Sequence, residues 1–143
     1  MPHAQIDIRD HMKTLVAALS GFSAAVVATS EADLGTIEAT PRGAVFLDEM
    51  ETDVVSTSST AFVQRTQTIT VMIADSSSTV EETLLDHALA LERSVYVARK
   101  QGDFGATVTH AELSAQNIER SPESDTEGHI TQSYVFSFNQ TLI

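Results

Sequence analysis

The chain has no cysteine, which excludes disulfides, thiolate zinc sites and thiol catalysis. Cations are scarce. Eight Lys and Arg stand against twenty Asp and Glu, a net charge of −12, and the lysines are Lys13 and Lys100 alone. Such a surface repels phosphate backbones and anionic headgroups. It argues against nucleic acid, bound non-specifically or by direct sequence readout, and against a membrane as partners. No stretch approaches the ~18 apolar residues of a spanning helix. Met1 to Gln5 is not a basic region leading into an apolar run, so no signal peptide is expected. Dinucleotide and P-loop glycine patterns are absent. Gly102-Asp103-Phe104-Gly105 is too short and has no following helix.

What is present fits one domain spanning residues 1–143, long enough to bury a real core, with 42% hydrophobic residues. Ile8, Met12, Leu15, Val16 and Leu19 form one apolar stripe and predict a helix over about Ile8–Leu19, capped by Asp7 and stopped at Ser20-Gly21. Phe22–Thr29 predicts a buried or half-buried strand, and Ser30–Gly43, with Gly35 and Pro41, a loop. Ala44–Met50 is a second strand. Glu49–Thr60, acidic and then rich in Ser and Thr, is expected to be a protruding hairpin tip or mobile loop. Phe62–Ala74 is the clearest strand: Ile69, Val71 and Ile73 face one way, and Thr66, Thr68 and Thr70 the other.

A turn at Asp75–Ser78 leads into a second helix. Its start matches a capping box, Thr79 with Glu82 or Ser78 with Glu81. Val80, Leu84, Ala88, Leu91, Val95 and Ala98 carry its stripe, Leu85 and Leu89 widen the packed face, and Gly102 ends it after Arg99-Lys100. Phe104 to about Ile118 is an irregular fourth strand, Arg120–Gly128 a polar loop, and Ile130, Tyr134, Phe136 and Phe138 one face of a fifth strand. The order α-β-β-β-α-β-β predicts an α+β fold: a mixed or antiparallel sheet of four to five strands packed by two helices. Threonine-rich outer faces are then left to water or to neighbouring subunits.

Candidate chemistry is thin. The five histidines, His3, His11, His87, His110 and His129, form neither His-x-x-x-His nor His-Glu-x-x-His and read as surface or boundary residues. Ser23 faintly resembles a nucleophile elbow, but the strand and helix around it come in the wrong order. Glu123, Asp125, Glu127 and Gly128 echo the start of a calcium loop. Its twelfth position would be Tyr134, which cannot supply a bidentate carboxylate. Asp48, Glu49, Glu51 and Asp53 form a second acidic cluster, expected on a solvated loop rather than in a pocket that could set two carboxylates apart. Both clusters are candidate subunit or partner surfaces. No catalytic residue, metal ligand or cofactor is expected.

These elements together resemble the tail terminator family of lambda-like long-tailed phages and related neck proteins. The likeness rests on the amphipathic helix Ile8–Leu19, the passage from Thr40-Pro41-Arg42-Gly43 into Ala44–Leu47, the strand Gln67–Asp75 running straight into the helix at Val80–His87, and the closing strand Tyr134–Phe138. It covers nearly the whole chain as a pattern of elements. The resemblance implies an α+β subunit of a hexameric ring without catalytic residues. The ring caps the head-proximal end of the tail tube, stops its growth and presents a docking surface to the head. Implied partners are further copies of the chain, the major tail tube protein and a head–tail connector. The implied location is the virion tail or neck, with assembly in the host cytoplasm. Implied contacts are residues 48–60, the fourth strand and residues 120–128. A neck adaptor is the near alternative, and a small ligand-binding or hydrolase domain with a deep pocket is the alternative of another class.

Overall fold

The computed structural model describes residues 3–56, 62–122 and 126–141, with the backbone alone for 53–56, 62 and 141. Helix α1 (Ala4–Ala17) is followed by a 3-10 turn at Ala24–Val26, strand β1 (Val27–Ala28) and a short helix α2 (Glu31–Leu34). Strands β2 (Arg42–Ser56) and β3 (Phe62–Ser76) come next, then helix α3 (Val80–Gln101) and strands β4 (Val108–Arg120) and β5 (Glu127–Thr141). The strands form one sheet in the order β1-β2-β3-β5-β4. β1 runs parallel to β2, and the β2–β3, β3–β5 and β5–β4 pairs are antiparallel. The α+β class and the mixed sheet expected from the sequence are what is found.

Period explains the core. Ile8, Met12 and Val16 recur at helical spacing and are buried on α1. Val80, Leu84, Ala88, Leu91, Val95 and Ala98 do the same on α3. Ile69, Val71 and Ile73 of β3 and Ile130, Tyr134, Phe136 and Phe138 of β5 alternate with polar residues and join the same cluster. Both long helices therefore cover one face of the sheet. On the other face Thr66, Thr68, Thr131, Ser133 and Ser137 are only half-buried. Phe104, expected to begin the fourth strand, is buried instead, its ring 4.8 Å from that of Phe136. β4 starts only at Val108.

Several boundaries differ from expectation, each for a local reason. α1 begins at Ala4, so Asp7 lies inside its first turn, where its amide bonds to the His3 carbonyl at 3.1 Å. The apolar run Phe22–Thr29 pairs through Val27 and Ala28 alone, beside Gly43 and Ala44, and its centre coils into the 3-10 turn. Within the expected loop Ser30–Gly43, Ser30 caps α2 by accepting a hydrogen bond from the Asp33 amide at 3.1 Å. At α3 neither capping box forms. Ser77 Oγ accepts from the Thr79 amide at 3.0 Å, one step earlier than the motif requires. Gly102 stops α3 as expected, in the left-handed conformation with φ 74°.

Of the two forms expected for Glu49–Thr60, a protruding hairpin tip or a mobile loop, the loop is corrected: residues 49–56 continue β2 and form the outer part of the β2–β3 hairpin, paired as far as Ser56 opposite Phe62. Acidic residues have low strand propensity, but the Thr-rich partner strand supplies the ladder and overrides it. Residues 57–60 lie outside the described residues. At the other end, Glu127 and Gly128 belong to β5, which shortens the polar loop expected at Arg120–Gly128.

Candidate interface surfaces

The first acidic cluster is built around a bulge. Pairing between β2 and β3 shifts register between Leu47 and Met50, so that Asp48 and Glu49 together oppose the single residue Thr68, a bulge of one extra residue. The buried Gln67 closes this bulge. Its Nε2 donates to the carbonyls of Asp48 (3.0 Å), Glu49 (3.3 Å) and Thr68 (2.8 Å). Thr70 Oγ1 donates to Asp48 Oδ2 at 3.1 Å. Asp48, Glu49, Met50 and Glu51 are all exposed. Met50 Sδ accepts from Gln5 Nε2 at 2.9 Å, which ties the bulge to the start of α1. Asp53 lies on the same strand opposite Gln64, with its backbone alone described.

The second cluster stands apart. Glu127 is exposed at the first position of β5, opposite Ser76. Glu123 and Asp125 lie outside the described residues. Ser76 is nine residues along β3 from Gln67, so the two clusters are separated by about 30 Å at the rise of an extended strand. They cannot form one site. Tyr134, the twelfth position of the calcium-loop echo, is buried in the core.

Beside Glu127 an open polar cleft of about 290 Å³ is lined by residues including Arg42, Asp75, Glu119, Arg120 and His129. Its charges are largely matched within the chain. Arg120 Nε is 3.1 Å from Glu81 and His129 Nε2 is 3.4 Å from Glu119. Asp75 Oδ2 is 2.8 Å from His87 Nε2, and the His87 ring stands edge-on to Phe22 at 5.1 Å. His11 packs edge-on against Phe104 at 4.9 Å, and His110 Nε2 lies 3.2 Å from Glu112. Among the described residues, no group of three or more His, Asp or Glu side chains could hold a metal ion.

Two features escaped the sequence reading. Gln132 lies on the apolar face of β5 and is buried. It accepts from Tyr134 Oη at 3.1 Å and donates to Gln116 Oε1 at 3.0 Å and to the Ala88 carbonyl at 3.3 Å. This network ties β5 to β4 and α3; the alternation of Ile130, Tyr134, Phe136 and Phe138 already places Gln132 on the inner face, but its partners on other elements cannot be read from the strand. The other feature is a correction. Leu85 and Leu89 do not widen the packed face of α3; both are 45% exposed. Tyr96 is 57% and Val97 49% exposed on the same helix. The core stripe is filled by Leu84, Ala88, Leu91 and Val95, so these four side chains are turned away from it.

No family model matches the chain, and no curated protein matches it. A search of solved structures finds a chain of the virion of a native gene transfer agent (GTA) particle, 11% identical, with a TM-score of 0.41 over 90% of this chain and 84% of that one. A likeness that distant says nothing about function.

Proposed function

We propose that this chain is a virion structural protein that caps the head-proximal end of a phage tail tube as a ring, stops the tube growing and offers the surface to which the head docks. The observation that carries the reading is the unfinished sheet. Among the described residues, both long helices lie on one face, β4 is a free edge, and β2 is flanked by β1 only at Gly43 and Ala44. Two open edges and a Ser/Thr-rich outer face are surfaces a subunit can use against copies of itself and against a tube or connector. The element order supports the resemblance stated above. The net charge of −12 keeps free subunits apart until a template arrives. A ligand-binding or hydrolase reading asks for a pocket with convergent, uncommitted polar groups. The cleft beside Arg42 is open, and its Arg120 and His129 are engaged with Glu81 and Glu119.

Disruption of the gene in its parent particle, followed by electron microscopy of the lysate, tests the proposal. Overlong headless tails beside filled heads are the expected result. Heads and normal-length tails left unjoined would point to a neck adaptor, and intact particles would overturn the reading.

A further inference from the structure

The stripe that packs on the sheet is not the only ordered face of α3. Glu82, Asp86, Leu89, Arg93, Tyr96 and Lys100 recur at gaps of four, three, four, three and four, the heptad spacing of a helix seam, and all six are exposed. At the pitch of an α-helix they run along the side opposite Leu84, Leu91 and Val95, which are buried against the sheet. Leu85, also exposed, borders the seam one turn before Leu89. The charge of the seam is divided. Glu82 and Asp86 stand in its first half, Arg93 and Lys100 in its second, and none of the four makes an ion pair among the described residues. Lys100 Nζ rests 5.2 Å from the Tyr96 ring centroid. The other acids of this end lie off the seam: Glu92 lines an open groove with Glu112 on the β4 flank, and Asp103 follows the helix in the groove against Leu15 of α1.

The six positions are also symmetric along the helix. They lie nine, five and two residues on either side of residue 91, so the seam matches itself when it is reversed, acid onto base. We propose that two copies of this chain pair through α3, antiparallel, about a twofold axis at the level of residue 91. Glu82 then stands opposite Lys100 of the second copy, and Asp86 reaches its Arg93 and its Tyr96 hydroxyl. Leu89 of each copy meets the other and the stem of Arg93, while the Tyr96 ring covers Leu85. The contact is isologous, so every pairing occurs twice. A parallel pair would set Glu82 on Glu82 and Lys100 on Lys100, so the charges admit one direction. The seam is about 27 Å long, less than a standard interface needs, and the net charge of −12 opposes any self-contact. The pair is therefore reversible and forms where copies are concentrated. The inference uses the helix layer alone, and holds whatever the open sheet edges bind.

The absence of native cysteine makes the test direct. Leu85→Cys and Tyr96→Cys proteins of different tag mass are mixed and oxidised with diamide. In the antiparallel pair position 85 of one copy lies level with position 96 of the other. Two positions 85 are about 18 Å apart along the axis, and two positions 96 about 15 Å. Disulfides joining 85 to 96 are therefore expected to exceed those joining 85 to 85 or 96 to 96 severalfold. Glu82→Lys with Asp86→Lys in the first protein should reduce that yield severalfold, and Arg93→Glu with Lys100→Glu in the second should restore it. Circular dichroism establishes that each variant is folded. Predominance of like-to-like disulfides would overturn the proposal, as would a mixed yield indifferent to both charge reversals. A mixed yield no higher than that of a control pair with Glu31→Cys in place of Tyr96→Cys would also overturn it, and would leave the seam to a different protein.

Discussion

Gln67 holds the Asp48 carbonyl at 3.0 Å from beneath the bulge, so a buried amide fixes an exposed acidic surface. A bulge leaves carbonyls outside the ladder, and Gln67 is the group that satisfies two of them. Gln67→Leu strands those acceptors against an apolar side chain. The expected loss is about 1–3 kcal/mol of stability, read from urea midpoints. Thr70→Val removes one bond to a solvent-exposed carboxylate, and its expected cost is below about 1 kcal/mol.

Neighbouring leucines of α3 should behave oppositely. Leu84 is fully buried and Leu85 is 45% exposed. Leu84→Ala is expected to cost about 2–5 kcal/mol in chemical denaturation. Leu85→Ala and Leu89→Ala should stay within about 0.5 kcal/mol of the parent protein. Large losses for the exposed pair would mean that they pack inward after all.

Gly128 marks a close approach of β5 to β4. A Cβ there would stand 2.9 Å from the Glu119 carbonyl oxygen and 3.4 Å from Leu84 Cδ1. Backbone must move to admit it, so Gly128→Ala is expected to destabilise the fold by about 1–3 kcal/mol. Gly35→Ala, which meets only the Ala32 carbonyl at 3.4 Å, serves as the control and should be close to neutral. Thermal melts of the two variants decide.

Tyr134 gives a pH dependence. Burial pushes its hydroxyl well above the ordinary value of 10.0, Glu92 pushes the same way, and the bond to Gln132 partly offsets both. The unfolded chain releases this proton near the ordinary value while the folded chain keeps it. Above that value the unfolded state binds fewer protons, so stability falls as pH rises. The contribution is fully present below it and declines by up to about 1.4 kcal/mol per pH unit above it. Tyr134→Phe should remove this alkaline slope, at a cost of about 1 kcal/mol at neutral pH for the lost hydrogen bond. Urea midpoints of both proteins across the alkaline range check it.

Charge reversal at the bulge should separate assembly from folding. Glu49 and Glu51 are exposed, and neither makes a salt bridge among the described residues. Glu49→Lys with Glu51→Lys is expected to shift the melting point little and to reduce incorporation into particles severalfold. Normal incorporation would remove the bulge from the interface.

Much of the fold was legible in the sequence because it was written in period. The alternation of Ile69, Val71 and Ile73, the stripe from Val80 to Ala98 and the closing face of Ile130 to Phe138 each bury the residues expected of them. What escaped was non-local. Residues 49–56 look like loop by composition, and only pairing with β3 makes them strand. Gln132 is polar by type, yet partners on three elements let it sit in the core. Leu85 and Leu89 are apolar by type, but the stripe beside them already fills the space above the sheet. Of the candidate surface residues, Asp48, Glu49, Glu51 and Glu127 are exposed as expected, though on strands and at separate places.

The activity proposed for this protein is to end a growing tube. The most direct measurement adds the purified protein to polymerising tail tube subunits and records tube lengths by electron microscopy. The expected result is arrest of growth, with shorter tubes carrying a ring at one end. Tubes of the same length distribution with and without the protein, and bare at both ends, would contradict it.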